Sequence, residues 1–177
     1  MQMNWYVVYT KSKCEKKVVA SFERKGVKTF CPMNYKKVKS FGRSKTIVDP
    51  IFKSYVFLKM TEQDVSLIKH VDDVINILYW KGKPAIIEEE EIEAIKEFAF
   101  TYGKIELQKI NVNLGEPLSV IDEPFYSIEG KLLALKNKTI KLFLPSLGYM
   151  MIAKIEEDNN IFGREAISLV KNSFSRS

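Results

Sequence analysis

The stretch Ser54–Met60, SYVFLKM, decides how the first half of this chain of 177 residues folds. It is rich in aromatic and β-branched residues, and its apolar positions run on almost without a break, which is typical of a buried central strand. A second run of this kind, Trp5–Thr10 (WYVVYT), lies near the start of the sequence. Both are too short for a helix, so two strands of one sheet are predicted.

Between these runs the apolar period changes from two residues to four. Cys14, Val18 and Phe22 form one stripe, which predicts a helix that stops near Gly26. The segment Ser12–Glu15 has the S-x-x-E pattern of a capping box, in which hydroxyl and carboxylate each bind a backbone N–H at the helix start. Further on, residues 35–48 predict a hairpin with a basic tip.

The remaining elements of the first half complete an α+β pattern. Thr61 and Asp64 resemble a second capped helix start, residues 74–79 form another strand, and Glu88–Glu91 open a third helix. The order β-α-β-β-β-α-β-α is not a regular βαβ alternation. It predicts an antiparallel sheet with the helices packed on one face.

After residue 115 short apolar runs alternate with turn residues and no helix, which indicates a small β-barrel. We therefore expect a first domain at residues 1–104, a linker at 105–112, a barrel at 113–160 and a tail at 161–177. For the tail, a short helix at Glu165–Val170 and a loose segment both remain open.

The charge is distributed unevenly along the chain, whose net charge is +6. Residues 1–60 hold 14 Lys and Arg against 3 acids, residues 61–110 hold 6 against 11, and residues 111–177 hold 8 against 8. The first third is thus strongly basic. Such a block is either a solvated surface or a footprint for a polyanion.

The sequence lacks the features of an enzyme, a metal protein or a membrane protein. No phosphate-binding loop, nucleophile elbow or zinc-protease motif occurs, and the single histidine, His70, is interpreted as a surface residue near a helix end. Cys14 and Cys31 form no CxxC pair and are expected to be reduced and half-buried. We expect no cofactor, no metal, no membrane span and no secretory signal, hence a cytoplasmic protein.

The two opening strands offer one candidate binding surface. Strand alternation places Tyr55 and Phe57 on one face, and Trp5, Val7 and Tyr9 likewise on one face. These side chains fill a core in the simplest interpretation. If all helices pack on the opposite face, however, some form an exposed aromatic patch on which a partner can dock.

Four segments together resemble the NusG family of transcription elongation factors. They match its opening strand and helix, its central F-P-G-Y-V segment, its closing GKP stretch before a glutamate-rich helix, and its KOW motif. In this sequence the segments are WYVVYT with Glu15–Val18, residues 49–60, residues 74–84 with the glutamates after them, and Gly115, Leu118 and Val120 with Pro124-Phe125 and Glu129-Gly130. The resemblance spans about residues 4–156, in order and at the family's spacing.

The resemblance implies an α+β domain that binds the clamp helices of RNA polymerase and suppresses pausing and termination, followed by an SH3-like KOW barrel that recruits other proteins. The family's partners would be RNA polymerase, non-template DNA and, through the barrel, a ribosomal protein; we expect a monomer. Carried over by position, the polymerase-docking residues are Tyr9, Phe52, Tyr55 and Phe57, and the polymerase-bridging residues are Val65, Ser66 and Leu67. The nucleic-acid-binding residues are Lys11, Lys17 and Arg24, and the KOW partner contacts are Leu147 and Tyr149.

Two departures from the family pattern are informative. Lys53-Ser54 replaces the Pro-Gly pair before the central tyrosine, and Leu147-Gly148-Tyr149 replaces a Phe-Gly-Arg loop in the barrel. They favour a specialised paralogue of the RfaH or UpxY kind, which acts on particular operons such as polysaccharide or capsule clusters. The alternative function is a KOW-type RNA-binding module acting on the ribosome or rRNA.

Overall fold

The computed structural model describes residues 2–102, 104–110, 126–128, 131–136 and 139–154. The chain divides into two compact units, Met1–Ile95 and Lys96–Ser177. The predicted α+β fold with antiparallel sheets is confirmed, and each unit is built around its own sheet.

The first unit contains eight strands, one α-helix, one 3-10 helix and the start of a second α-helix. In chain order these are β1 (Asn4–Thr10), α1 (Glu15–Glu23), β2 (Lys28–Phe30), β3 (Met33–Ser40), β4 (Arg43–Pro50), β5 (Tyr55–Met60), the 3-10 helix (Gln63–His70), β6 (Val74–Ile77), β7 (Tyr79–Trp80), β8 (Lys83–Pro84) and α2 (Glu89–Thr101). Strands β2, β5, β1 and β6 form an antiparallel sheet in that order.

One face of this sheet carries the aliphatic core. Tyr6 and Val8 of β1 and Leu58 of β5 are buried there against Val18 and Phe22 of α1. Ile68 of the 3-10 helix belongs to the same cluster. The four-residue stripe predicted for the first helix therefore has the role expected of it: it covers the sheet.

The opposite face is a row of aromatic rings in contact with one another. From one end to the other the row runs Trp5, Phe30, Phe57, Phe52, Tyr55 and Tyr9, with neighbouring ring centroids 4.7–6.5 Å apart. Three of the six rings are fully buried, since Trp5 and Phe52 are each 1% exposed and Phe57 is 0% exposed. At its Trp5 end, Trp5 Nε1 donates a 2.9 Å hydrogen bond to Glu89, the first residue of α2. The core-filling alternative therefore holds for Trp5, Phe52 and Phe57, and the condition for an exposed patch, a face free of helix, is not met at the Trp5 end.

The predicted capping box at Ser12–Glu15 does not form. Helix α1 begins at Glu15 with Cys14 as its N-cap and without a side-chain cap. The reason is that the Glu15 carboxylate is used elsewhere, on the backbone of Ser54. At the second predicted start, Asp64 N donates to Thr61 Oγ1 at 3.4 Å, but the helix that follows has 3-10 geometry.

Two hairpins of the first unit turn through the same two-residue geometry. The predicted hairpin is present as β3 and β4, which form a two-stranded sheet with each other and pair with no other described strand. Phe41 and Gly42 form its turn with φ of 49° and 77°, and Lys81 and Gly82 join β7 to β8 with φ of 47° and 79°. Positive φ at both central residues is the signature of a type I′ turn, whose twist matches the flanking strands.

The second unit holds a five-stranded antiparallel sheet in the order β10, β11, β12, β13, β9. These strands are β9 (Ile105–Lys109), β10 (Tyr126–Ile128), β11 (Lys131–Lys136), β12 (Thr139–Leu144) and β13 (Tyr149–Lys154). Leu142 and Met151 pair across β12 and β13, as do Phe143 and Met150, and all four are buried. Because the first pair points to one side of the sheet and the second to the other, both faces of the sheet are covered.

Strand β9 lies within the segment predicted to be a linker. Residues 105–109 pair along their whole length with β13, so the linker prediction is wrong for these five residues. Their alternating sequence, with Ile105 buried and Glu106 exposed, carries the period of a strand. The predicted strand at 118–121, the KOW motif residues between Gly115 and Phe125 together with Glu129-Gly130, and the tail at 161–177 lie outside the described residues.

Candidate functional site

The exposed end of the aromatic row is a pair of tyrosines. Tyr9 and Tyr55 face each other across β1 and β5, with ring centroids 4.7 Å apart. Tyr55 Oη donates to Tyr9 Oη at 3.4 Å, and both side chains are partly exposed. Of the four predicted docking residues, only this pair is accessible, because Phe52 and Phe57 are buried beneath it. The Phe52 ring contacts Tyr55, and the Phe57 ring contacts Phe52, so the two phenylalanines are the buried neighbours of the pair in the row.

Glu15 holds the backbone next to this pair. Its carboxylate is 5% exposed, and Oε1 accepts a 2.7 Å hydrogen bond from the backbone N–H of Ser54. Ser54 has φ of 63°, a left-handed conformation that a residue with a side chain adopts at a cost of roughly 1–2 kcal/mol. The family's glycine at this position would adopt it freely. Here the charged hydrogen bond from α1 compensates for the substitution and fixes the start of β5.

Two of the predicted nucleic-acid-binding lysines converge on one acid. Lys11 Nζ lies 3.2 Å from one carboxylate oxygen of Asp73, and Lys17 Nζ lies 2.5 Å from the other. Asp73 lies in the loop before β6, and its backbone carbonyl also accepts from the N–H of Lys11 at 2.9 Å. Hydrogen bonds from Lys17, and then from Lys11, hold the pKa of Asp73 below its ordinary value, while the pKa of Lys17 is raised by the same contact.

The third predicted residue, Arg24, is the C-cap of α1 and follows Lys17 by about two helical turns. Its Nε donates to the carbonyl of Ala20 at 3.2 Å, and its Nη2 donates to Ser21 Oγ at 3.3 Å. These contacts leave the guanidinium exposed and its positive charge without an acid among its hydrogen-bond partners. Of the three cations, Arg24 is therefore the one whose charge is uncompensated locally.

Cys31 lies next to the backbone of β5, where its thiol contacts the carbonyl of Tyr55 at 3.9 Å. Burial, and secondarily the nearby charge of Glu15, raise the pKa of this thiol to about 11. At neutral pH it is therefore fully protonated and a poor nucleophile. Cys14 and Cys31 are both free and half-buried, as the sequence predicted.

The predicted bridging segment forms part of the 3-10 helix. Val65 is half-buried and packs against the aliphatic core, whereas Ser66 and Leu67 face solvent. Leu67 is 42% exposed, and Ser66 Oγ donates to the carbonyl of Gln63 at 3.3 Å. The segment thus offers one apolar and one hydroxyl side chain on a helix anchored by Val65 and Ile68.

The predicted barrel contacts flank the turn between β12 and β13. Leu147 and Tyr149 are half-buried on either side of Gly148, whose φ is 68°. The carbonyl of Gly148 accepts from Ile110 N at 2.9 Å, which ties the turn to the end of β9. No cation lies between Leu144 and Tyr149, so the side chains that this turn carries are apolar, aromatic and hydroxyl groups.

Two surfaces were missed as candidate sites. Tyr79 and Trp80 of β7 are each 48% exposed, and no pattern in the sequence distinguished them from buried residues at the end of a strand. The β3–β4 hairpin was predicted as an element, but its function was not assigned, although its run of Lys and Arg was visible. Within the described ranges, no group of three or more His, Cys, Asp or Glu could hold a metal ion, and no helix is long and apolar enough to cross a membrane.

Comparison with known proteins gives one consistent result. Residues 3–96 match the NusG family model, described as transcription termination factor nusG. The protein named transcription termination/antitermination protein NusG from Streptococcus pyogenes serotype M1 is 26% identical over 167 residues, covering 86% of this chain and 92% of that protein. Its namesake from Rickettsia prowazekii is 27% identical over 149 residues, covering 78% of each.

A solved structure agrees in fold. The structure titled "Domain interaction in Thermotoga maritima NusG" superposes with a TM-score of 0.50 at 19% identity, covering 88% of this chain and 99% of that one. Because the family model covers more than half of the 177 residues, including β1, α1 and β5, the chain belongs to the NusG family of transcription factors.

Proposed function

We propose that this protein is a transcription elongation and antitermination factor that docks on the clamp helices of RNA polymerase through its tyrosine pair. The observation that carries the proposal is the pair itself, Tyr9 and Tyr55, two partly exposed rings in tilted contact at 4.7 Å, next to the buried rings of the same row. Large rigid rings with a polar tip are the side chains that most often dominate a protein interface. Because the neighbouring rings are buried, the tyrosine side chains are held in place before binding, which lowers the conformational entropy that they lose on binding.

The test is retention of core RNA polymerase by the immobilised protein. Tyr9→Ser with Tyr55→Ser is expected to weaken binding at least tenfold, because truncation of central aromatic residues typically costs about 2 kcal/mol or more. Substitution of Phe57 is unsuitable for this purpose, since removing a fully buried ring costs about 3–5 kcal/mol and would mix loss of stability with loss of docking.

A matched control is available in the same unit. Tyr79→Ser with Trp80→Ser removes two aromatic residues of the β7–β8 hairpin that are more exposed than Tyr9 and Tyr55, and it should leave binding unchanged. If the control pair lost the polymerase and the Tyr9/Tyr55 variant kept it, the docking surface would lie on β7 and the proposal would be wrong.

We also propose that non-template DNA in the elongation complex contacts Lys11, Lys17 and Arg24. The convergence of both lysines on Asp73 supports a division of roles. Lys11 and Lys17 share one carboxylate and keep a net charge of one between them, whereas Arg24 has no ion pair within the described residues and can meet a phosphate without breaking one. Cross-linking of the protein to non-template DNA in a paused complex tests this. Arg24→Ala should reduce it more than Lys11→Ala, and equal loss would refute the division.

The remaining proposed contacts are carried over by position from the NusG family. We propose that Val65, Ser66 and Leu67 bridge to the polymerase across its cleft, and that Leu147 and Tyr149 of the barrel contact a further protein, such as a ribosomal protein. The absence of a cation in that turn supports action on particular operons, because a Phe-Gly-Arg loop is the family's site for a termination factor. Transcript profiles of a deletion strain should change in a few long operons; a genome-wide change would indicate a general factor.

A further inference from the structure

The β3–β4 hairpin is an exposed arm. Every residue from Tyr35 to Ile47 is exposed, and within the described part of the chain its strands pair with no third strand. At about 3.4 Å per residue, the six steps from Tyr35 to the turn at Phe41 extend roughly 20 Å. A two-stranded ribbon of this kind has little core of its own, so stability alone does not explain it.

The arm is a concentrated positive charge. Lys36, Lys37, Lys39, Arg43 and Lys45 fall within ten residues, and no acid occurs between Glu23 and Asp49. None of these five cations forms an ion pair within the part of the chain that the structure describes. This distinguishes the arm from the α1 surface, where Asp73 balances one of two lysines. The arm therefore has the full electrostatic character of a polyanion-binding element.

The strand register distributes these cations over both faces of the ribbon. Ser40 pairs with Arg43, Val38 with Lys45, and Lys36 with Ile47, so Lys36, Arg43 and Lys45 share one face. Lys39 pairs with Ser44, and Lys37 with Thr46, which places Lys37 and Lys39 on the other face. A single line of phosphates or a flat anionic surface would engage only one of these faces. Phosphates on both sides are needed to engage all five.

We propose that the β3–β4 arm binds double-stranded DNA by entering its major groove. The B-form major groove is about 12 Å wide and admits a two-stranded β-ribbon, with a phosphate backbone on either side. The deep, narrow major groove of A-form RNA does not admit side chains in this way. Phe41, whose side chain is fully exposed at the apex, meets the floor of the groove, where an aromatic ring contacts thymine methyl groups.

The experiment measures binding of the full chain, without polymerase, to a fluorescent duplex of about 20 base pairs at salt concentrations between about 50 and 200 mM. Each neutralised phosphate contributes about 0.9 to the slope of log K against log salt. Lys36→Gln with Lys45→Gln, on one face, should lower the slope by about 1.8, and Lys37→Gln with Lys39→Gln, on the other face, should lower it equally. Phe41→Ser should weaken binding without changing the slope.

Lys81→Gln with Lys83→Gln is the matched control, since these exposed lysines flank the same type of turn in the other hairpin, and it should leave the slope unchanged. An unchanged slope in both arm variants would overturn the proposal. A change of slope in the variant of one face alone would also overturn it. So would binding of single-stranded DNA, or of phosphatidylserine vesicles, through the same lysines with an affinity equal to or higher than that for the duplex. The Tyr9/Tyr55 variant should bind the duplex normally, so failure of the docking proposal would leave this result untouched.

Discussion

The hydrogen bond from Ser54 to Glu15 makes a quantitative prediction about the first unit. Glu15→Ala removes the carboxylate that accepts from the half-buried backbone N–H of Ser54, and hydrogen bonds to charged groups contribute about 1.5–3 kcal/mol. Glu15 is also the acid in the first turn of α1, where a negative charge adds about 0.3–1 kcal/mol. Because water can reach part of the freed N–H, we expect a total loss of about 2–3 kcal/mol in the free energy of unfolding.

Urea unfolding followed by tryptophan fluorescence measures this loss in the right unit, because both tryptophans of the chain, Trp5 and Trp80, lie in Met1–Ile95. With an m-value of about 1–2 kcal/mol/M for a unit of this size, the midpoint should fall by about 1–3 M. Glu15→Gln keeps an acceptor but not the charge, and should lose about 1 kcal/mol.

Glu23→Ala is the control at the other end of α1. Glu23 is exposed and accepts a single 3.0 Å hydrogen bond from Thr29, so its loss should stay within about 0.5 kcal/mol. If Glu15→Ala and Glu23→Ala unfolded at the same urea concentration, the carboxylate would not hold the start of β5. The compensation argued for Ser54 would then be refuted.

Two further predictions concern titrating groups. The folded-state pKa of Asp73 is lowered, so its contribution to stability is present above the unfolded carboxyl pKa and is lost as pH falls through the folded-state pKa. Urea midpoints measured at several acidic pH values should therefore decrease less steeply with falling pH in Asp73→Asn than in the unchanged protein. A steeper decrease in the variant would contradict the assignment. For Cys31, a thiol pKa of about 11 against an ordinary 9.0 makes the thiolate about 100-fold scarcer at pH 8. In a Cys14→Ser variant, iodoacetamide should therefore react about 100-fold more slowly with the native chain than with the urea-unfolded chain. Equal rates would show that the thiol is not shielded.

The local patterns of the sequence predicted the local structure well. Alternating apolar residues marked β1 and β5, and the stripe through Val18 and Phe22 marked α1, because burial on one face imposes its period on the sequence. The hairpin itself was predicted around residues 41–44, but its turn is shorter than that and consists of Phe41 and Gly42 alone.

The long-range contacts were not predictable in this way. Glu15 looked like a capping residue because its partner, Ser54, is 39 positions away in the sequence. Phe52 and Phe57 looked like surface candidates because the side chains that bury them are brought in by the fold. Lys11 and Lys17 looked equivalent to Arg24 until Asp73 was placed beside them. In each case the sequence predicted the chemical group, and the fold decided what that group contacts.

The sheet order has a consequence for the growing chain on the ribosome. Strand β1 is synthesised first, yet its neighbours are β5 and β6, about 50 and 70 residues later. At about 5–20 residues per second, the apolar segment Trp5–Val8 remains unpaired in the nascent chain for about 2–10 s. The backbone of Trp5 receives its last partner, Ile87, later still. The segment that becomes the centre of the sheet is thus the one that most needs chaperone protection during translation.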